Sequence, residues 1–533
     1  MASAVHALLR SVLLWLRSPL RDLPGPPSSN WLYGNVKEIL EPESGDRAVV
    51  LERWAQTYGP VFKYKGFFNV DRIHTTDLKA LNYILTHSEE FEKSEQTRRT
   101  LARSMGRGLL FVKGDDHRRQ NPAFGLAHIR ELTSVFVEKS LILRDKWASV
   151  LSSHPEDDAV CINVLEGLNK ATLDIIGLAG FNYDIDALDV HGTGEQRELS
   201  TAFQRIFASG QRFPLIVIAK SFFPILRIIP DRGSRSATRT QQIMRRVGLK
   251  LIAQKKGALM REAAGKAAVE RKDVVGKDLL TLLIKANMAS DVSGSQKLSD
   301  EEVLALTCVY SFLIAGHETT STATTWCLYA LALHPDVQTK LRDELLTLRT
   351  DTPTMEELNG LTYLDCVVRE SMRLYSPVPA SERVATADVH VPLDVPFTDV
   401  HGRLHTSLKV PKGCYMDVPI LVVNRSKSLW GEDANEFRPE RWMHLPEAVS
   451  NIPGIWSHLL SFLGGAHACI GYRFSIVEMK ALLYVLVRAF EYAPAVPVEE
   501  IIRKQTIVQR PMLRSAPHEG GRMPLLVKPY MRI

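Results

Sequence analysis

The clearest periodicity in the chain lies between Tyr472 and Phe490. Ile476, Met479, Leu483 and Leu486 fall there on one face of a helix. A second helical pattern runs from Tyr363 to Leu374. A third opens at Ser299-Asp-Glu-Glu302, where Ser299 and Glu302 have the spacing of a capping box and Leu298 and Val303 that of a hydrophobic staple. No proline follows until Pro335, so this helix can run about 34 residues, roughly 50 Å. Val303 to Gly316 carries no formal charge, which predicts a buried helix, and it is too short to cross a bilayer. Alternation is rarer. From Trp54 the pattern reads as a helix, then strands at Val61–Tyr64 and Asn69–His74, then a helix start at Thr76-Asp77. Leu408 to Val423 alternates around Pro411-Lys-Gly413 and predicts a β-pair with that tripeptide as its turn.

At 533 residues the chain exceeds one ordinary domain, and its 45% hydrophobic and 24% charged content suits a large buried core. The net charge of +6 is spread out, which argues against nucleic acid and suits an anionic membrane surface or an acidic partner. The six cysteines, at 161, 308, 327, 366, 414 and 469, include no C-x-x-C pair and predict a reducing environment with five structural thiols and one ligand.

Residues 1–22 contain an apolar run, Ala7 to Leu16, broken by Arg10 and too short to span a bilayer. They read as an interfacial helix or weak anchor with Trp15 at headgroup level, against the alternatives of a secretory signal or a plain disordered terminus. Leu23-Pro-Gly-Pro-Pro27 stiffens the exit, making 23–30 a hinge and 31–533 the catalytic domain. The Phe- and Pro-rich stretch from Thr201 to Pro230 reads as core.

The candidate chemistry gathers at Ser461-Phe-Leu-Gly-Gly-Ala-His-Ala-Cys-Ile-Gly471, where Cys469 sits among glycines just before a helix. Backbone N–H groups and a helix N-terminus stabilise a thiolate, as a metal ligand requires. Ala315-Gly316-His317-Glu318-Thr319-Thr320 places a carboxylate and hydroxyls in an apolar helix, where each needs a purpose. Gly316, three residues before Thr319, leaves room for a small ligand beside that hydroxyl. Glu370 and Arg373 share a helix face, a spacing that ordinarily gives a weak surface pair.

The pattern Phe462-x-x-Gly465-x-His467-x-Cys469-x-Gly471 resembles the haem-binding loop of the cytochrome P-450 family, and the other motifs follow in family order from Pro24 to about Pro529. The resemblance implies a single mainly helical α+β fold with haem b between the long helix and the helix after Cys469. It implies Cys469 as the axial ligand of haem iron, with Phe462 and Gly465 shaping the loop. His467, where the family usually has Arg, can still donate to a haem propionate, and His117 and Arg383 take the other propionate positions. Glu318 and Thr319 map onto the acid–alcohol pair, whose hydroxyl steadies iron-bound peroxide and whose acid routes protons. Glu370, Arg373 and Arg441 map onto a structural cluster. The stretch from Thr201 to Pro230 becomes the roof of the substrate channel.

The function implied is a monooxygenase of the microsomal, fungal type, at the cytosolic face of the endoplasmic reticulum. It inserts one O₂ atom into an apolar small molecule, terpenoid, aromatic or xenobiotic, as in secondary metabolism. Electrons come from NADPH through an NADPH-cytochrome reductase, which could meet Arg118, Arg119, Arg473 and Lys480. Asn424-Arg-Ser426 is a glycosylation sequon that a cytosolic domain leaves unused. Two alternatives stay open. After His117 the chain reaches Asn121-Pro-Ala-Phe124 about one turn too soon, which leaves a haem-poor, non-catalytic protein as one. An isomerase or dehydratase that needs no reductase is the other, against which Glu318 and Thr319 stand as residues of the oxygen-activating types.

Overall fold

The computed structural model describes residues 19–105, 125–189 and 309–530, apart from 43, 156–157 and 506–507, with short helical pieces between 242 and 284. They form two units, each drawn from separate stretches of chain. The first comprises Met1–Glu95, Val378–Glu436 and Leu445–Cys469; the second comprises Gln96–Pro377, Phe437–His444 and Ile470–Ile533.

In the first unit a five-stranded sheet runs in the order Val61–Lys65, Asp71–Thr75, Tyr415–Val418, Ser381–Ala385, Phe91–Glu92. Only the pairing of Asp71–Thr75 with Tyr415–Val418 is parallel. The helix Arg47–Tyr58 starts where the Asp46 carboxylate accepts from Ala48 N at 3.0 Å and meets the Arg425 guanidinium at 2.7 Å. This caps the helix and neutralises the cap in one place. Its apolar face, Val50, Leu51 and Trp54, packs on Phe62, Tyr64, Leu421 and Val422. Behind the sheet, Arg72 bridges Asp417 at 3.2 Å and Glu382 at 2.6 Å.

The stretch from Leu408 to Val423 departs from the expected β-pair. Pro411 to Cys414 does turn, with Gly413 at φ 82 and Cys414 N bonded to Pro411 O at 3.0 Å. The turn, however, passes the chain from one sheet to another. Leu404–Val410 pairs with Val389–Thr398, Tyr415–Val418 joins the five-stranded sheet, and Ile420–Asn424 is helical. Alternation shows that a strand exists, not which strand it joins. Val389, Val391 and Leu393 offer Leu408 and Val410 a matching buried face.

The second unit is built around the helix Val309–Leu333, every residue of which from Thr320 to Ala332 is buried. It stops just before Pro335, which takes the first turn of the next helix. Ser299 and its expected cap lie outside the described residues. The long helix packs chiefly along Val164–Phe181. The helix Tyr472–Ala489 forms as its periodicity predicts and packs against both Leu126–Ser152 and the long helix. Phe136 and Phe474 meet edge to face at 4.7 Å. A three-stranded sheet, with Pro524–Pro529 between Val160–Asn163 and Phe490–Pro494, closes one end.

Two charged residues sit inside the Tyr472–Ala489 helix. Lys480 is buried and paired with Asp365 at 2.8 Å and Asn359 at 3.0 Å. It is therefore not available to a reductase, contrary to expectation, whereas Arg473 is exposed. Glu478 is fully buried and neither carboxyl oxygen closes a hydrogen bond among the described residues. Burial pushes its pKa well above 4.5, and the neighbouring Thr320 hydroxyl opposes this only in part. Between pH 4.5 and that raised value the folded chain holds a proton the unfolded chain has lost, so stability falls as pH rises. One proton corresponds to about 1.4 kcal/mol per pH unit as an upper bound. Denaturant unfolding of Glu478→Gln between pH 5 and 8 is expected to lack this component of the slope. An unchanged slope would show that Glu478 is ionised in the fold.

Candidate functional site

The loop Leu459–Cys469 is shaped by backbone crowding. A Cβ on Gly464 would lie 1.8 Å from the Pro453 carbonyl oxygen, and one on Gly465 would lie 2.0 Å from that of Leu85. Gly465 also has φ +68, a left-handed conformation that side chains resist. Cys469 N bonds to Phe462 O at 2.9 Å and closes the loop. Phe462 is buried edge-on against Trp456, ring centres 5.5 Å apart. Asn424 hooks the loop from the side, accepting from Leu460 N at 3.1 Å and donating to Ser461 Oγ at 2.9 Å. Asn424 is fully buried, so the sequon is structural. Cys469 is exposed and not disulfide-bonded, with the part-buried His467 two residues before it.

Arg383 lies in the same unit and is 1% exposed. Its Nη1 donates to Ser381 Oγ at 2.9 Å and to the Glu382 carbonyl at 2.8 Å, both neutral partners. The Glu382 carboxylate is engaged by Arg72 and Ser94. Burial lowers the Arg383 pKa to about 10 against the opposing field of Glu382. Among the described residues, this buried cation is hydrogen-bonded by neutral groups, an arrangement that an anion would complete.

In the second unit Thr319 Oγ1 donates to Ala315 O at 2.6 Å, the back-bond of a mid-helix hydroxyl. Glu318 is 1% exposed, and both its oxygens receive the Arg510 guanidinium, through Nε and Nη2. His317 Nε2 lies 3.7 Å from Glu318 Oε2. The space over Gly316 is not left for a ligand as expected, because a Cβ there would meet the Ile176 side chain at 2.9 Å. The glycine lets the Val164–Phe181 helix approach, and Thr172 Oγ1 donates to His317 O at 3.1 Å across that contact.

Glu370 and Arg373 are fully buried rather than a surface pair. Arg373 binds both Glu370 oxygens at 2.9 and 2.8 Å, Arg441 Nε lies 3.4 Å from Oε1, and Trp442 Nε1 donates to Oε2 at 3.1 Å. Five cysteines were expected to be structural. Cys327, Cys366 and Cys414 are buried, Cys161 is exposed on a sheet-edge strand, and Cys308 lies outside the described residues. His117 also lies outside them, as do Arg118, Arg119, the shortened turn and the stretch from Thr201 to Pro230.

A family model described as Cytochrome P450 matches residues 24–516. Cytochrome P450 monooxygenase 205 of Postia placenta is 52% identical over 99% of this chain and 96% of its own length. Cytochrome P450 monooxygenase claO of Ampulloclitocybe clavipes is 36% identical over 98% of each. The chain belongs to the cytochrome P450 family. It is a haem-thiolate monooxygenase with the mainly helical fold of that family, and its cofactor is haem b, supplied with electrons by a redox partner. The alternatives of a haem-poor protein or an isomerase are not favoured.

The residues present fit haem. The loop presents an exposed cysteine, and Arg383 supplies the buried cation that a propionate would complete.

Several P450 site contacts escaped the sequence. Arg510 sat unnoticed in Val508–Met512, though a lone arginine before Pro511 in an apolar strand was a signal of a buried partner. Trp442 and Asn424 carried signals too weak to act on, since an indole N–H or an amide finds a partner wherever the fold provides one.

Two tests follow from this geometry. Arg510→Met strands a buried carboxylate and is expected to lower stability by about 3–5 kcal/mol. Adding Glu318→Met should restore most of that loss in denaturant unfolding, and simple additivity would refute the coupling. Gly464→Ala places its methyl on a carbonyl oxygen and should prevent haem incorporation, read as the absorbance ratio of haem to protein.

Proposed function

We propose that this P450 hydroxylates or epoxidises an apolar small molecule of the terpenoid, aromatic or xenobiotic class. NADPH supplies the electrons through an NADPH-cytochrome reductase at the cytosolic face of the endoplasmic reticulum. Residues 1–22 act as a weak anchor, 23–30 as a hinge and 31–533 as the catalytic domain. The basic net charge of +6 suits an anionic lipid surface. Among the described residues no helix is long and apolar enough to cross a membrane. The exposed arginine Arg473 remains a contact for an acidic reductase.

The observation that carries the residue roles is the exposed Cys469 in a loop that only glycine at 464 and 465 permits. We assign Cys469 as the axial ligand of haem iron, and Arg383 and His467, with His117, as propionate contacts. Haem bound in this way supplies the oxygen activation. The protein then has to orient substrate and manage protons. Because Thr319 places its proton on the Ala315 carbonyl, its oxygen is left as an acceptor toward an incoming donor. Both Glu318 oxygens are occupied by the Arg510 guanidinium, so a proton donor reaches this acid only by displacing the guanidinium or by way of His317. Arg510 is thus a positioning residue for the acid. The Glu370 cluster holds Arg441 and Trp442 in place and takes no part in the chemistry.

Reduced protein under CO should show the strongly red-shifted Soret band of a thiolate ligand, and Cys469→Ala should abolish it. A band retained in that variant would remove Cys469 from the iron. Thr319→Ala should keep the band yet consume NADPH with a product yield about tenfold or more below wild type, consistent with loss of one positioned proton-handling group. A substrate panel in cells co-expressing a reductase tests the substrate class.

A further inference from the structure

The loop that carries Cys469 contains one residue whose backbone does not suit its type. Leu463 has φ 57 and ψ −168, a region nearly confined to glycine because a Cβ there crowds the flanking peptide groups. Two other non-glycine residues close by also have positive φ, Ser457 at 53 and His458 at 54. Those two are the central residues of a tight turn, with Leu459 N bonded to Trp456 O at 3.0 Å, and such a turn asks for consecutive left-handed residues. Leu463 is different, because its ψ is far from the left-handed helical well that such turns use.

A strained conformation persists only where its surroundings over-determine it, and here they do so on both sides. Leu463 N donates to Leu460 O at 2.8 Å, and the Leu463 carbonyl accepts from Ile455 N at 3.1 Å. The chain that follows has no slack, since a Cβ on Gly464 would already meet the Pro453 carbonyl oxygen at 1.8 Å. On the preceding side the fully buried Asn424 accepts from Leu460 N at 3.1 Å and donates to Ser461 Oγ at 2.9 Å. The short turn Leu460–Phe462 is thus pinned by Asn424 at its start and by Leu463 at its end. Its last carbonyl, that of Phe462, accepts from Cys469 N at 2.9 Å. Whatever moves this turn moves the backbone of Cys469.

The strain and the hook oppose each other. Leu463 would lose its strain by rotating to negative φ. That rotation swings the Phe462–Leu463 peptide, withdraws the Phe462 carbonyl from Cys469 N and drags Leu460 and Ser461 off Asn424. While the amide holds both, the rotation is blocked.

We propose that Asn424 is a positioning residue for Cys469: its amide is the catch that keeps Leu463 in its strained backbone and so holds the thiol in register to ligate haem iron. This rests on Cys469 as the axial ligand, as proposed above. The catch matters only in a chain that has strain to release. Glycine at 463 adopts the same φ and ψ without strain, so it should uncouple the loop from Asn424.

The test reads the Soret band of the reduced, CO-treated holoenzyme. Asn424→Ala should lower the ratio of the red-shifted thiolate band to the shorter-wavelength band of a lost or protonated thiolate at least about fivefold, the bias that one residue strained to this degree exerts on a two-state loop. Leu463→Gly alone should keep the wild-type band. Asn424→Ala combined with Leu463→Gly should recover most of the ratio, a departure from additivity that simple loss of packing would not give. Ser461→Ala, which leaves Leu460 N on Asn424, should show a smaller loss with the same rescue, and it decides the question where Asn424→Ala does not fold. A double variant no better than its hook variant alone overturns the catch, as does a wild-type band in the hook variant itself. Wild type without the red-shifted band overturns Cys469 as the ligand, and the catch with it.

Discussion

A carboxylate stripped of water must gain a cation, hydrogen-bond donors or a proton, and three in the second unit, Glu318, Glu370 and Glu478, meet that constraint in different ways. Glu318 takes one guanidinium in bidentate fashion. Glu370 takes two arginines and an indole. Glu478 meets no cation among the described residues, and burial favours its protonated form instead. These solutions differ in what they allow. The Glu370 cluster has no spare lone-pair direction and is rigid. The Glu318 pair is held by one partner from a C-terminal hairpin, Ile501–Gln505 with Gln509–Leu513, so it can exchange that partner for another. The protonated Glu478 sits beside the Thr320 hydroxyl of the long helix without a net charge.

The long helix shows why such groups are affordable in an apolar setting. Its hydroxyls satisfy themselves locally, Thr324 on Thr320 O at 2.9 Å and Thr325 on Ser321 O at 2.7 Å. Others reach across, as Ser321 does to Asn169 at 2.5 Å. Most of the helix's hydroxyls are thus hydrogen-bonded, whereas the buried Thr320 Oγ1 and Thr322 Oγ1 close no hydrogen bond among the described residues.

Much of this was legible in the sequence because it depended on local pattern. The helices at 362–374 and 472–489, the strands around the hairpin at 61–75 and the stop before Pro335 all follow from periodicity and proline. The cysteine loop was legible because its glycines are required by contacts within a few ångströms of each Cα. What was not legible is long-range. The partner of Leu404–Val410 is another strand than the pattern implied, Gly316 serves Ile176 rather than a ligand, and Lys480 is engaged by Asp365. In each case a residue was read correctly for type and wrongly for neighbour, since one sequence does not state which distant segment arrives beside it. Arg510 illustrates the same limit, 192 residues from the acid it binds.

Asn424 carries one last consequence. Its amide is the hook on which Leu460 and Ser461 hang, and it also begins an Asn-x-Ser triplet. Glycan attachment acts on a nascent, still-open segment, whereas the hook exists only after closure. A sugar on that nitrogen would need the volume that Ser461 occupies, so the glycosylated and the correctly looped chains are mutually exclusive products of one sequence. Folding of the cysteine loop thus depends on the route of synthesis as well as on the residues: the chain must close around Asn424 where no transferase can reach it first.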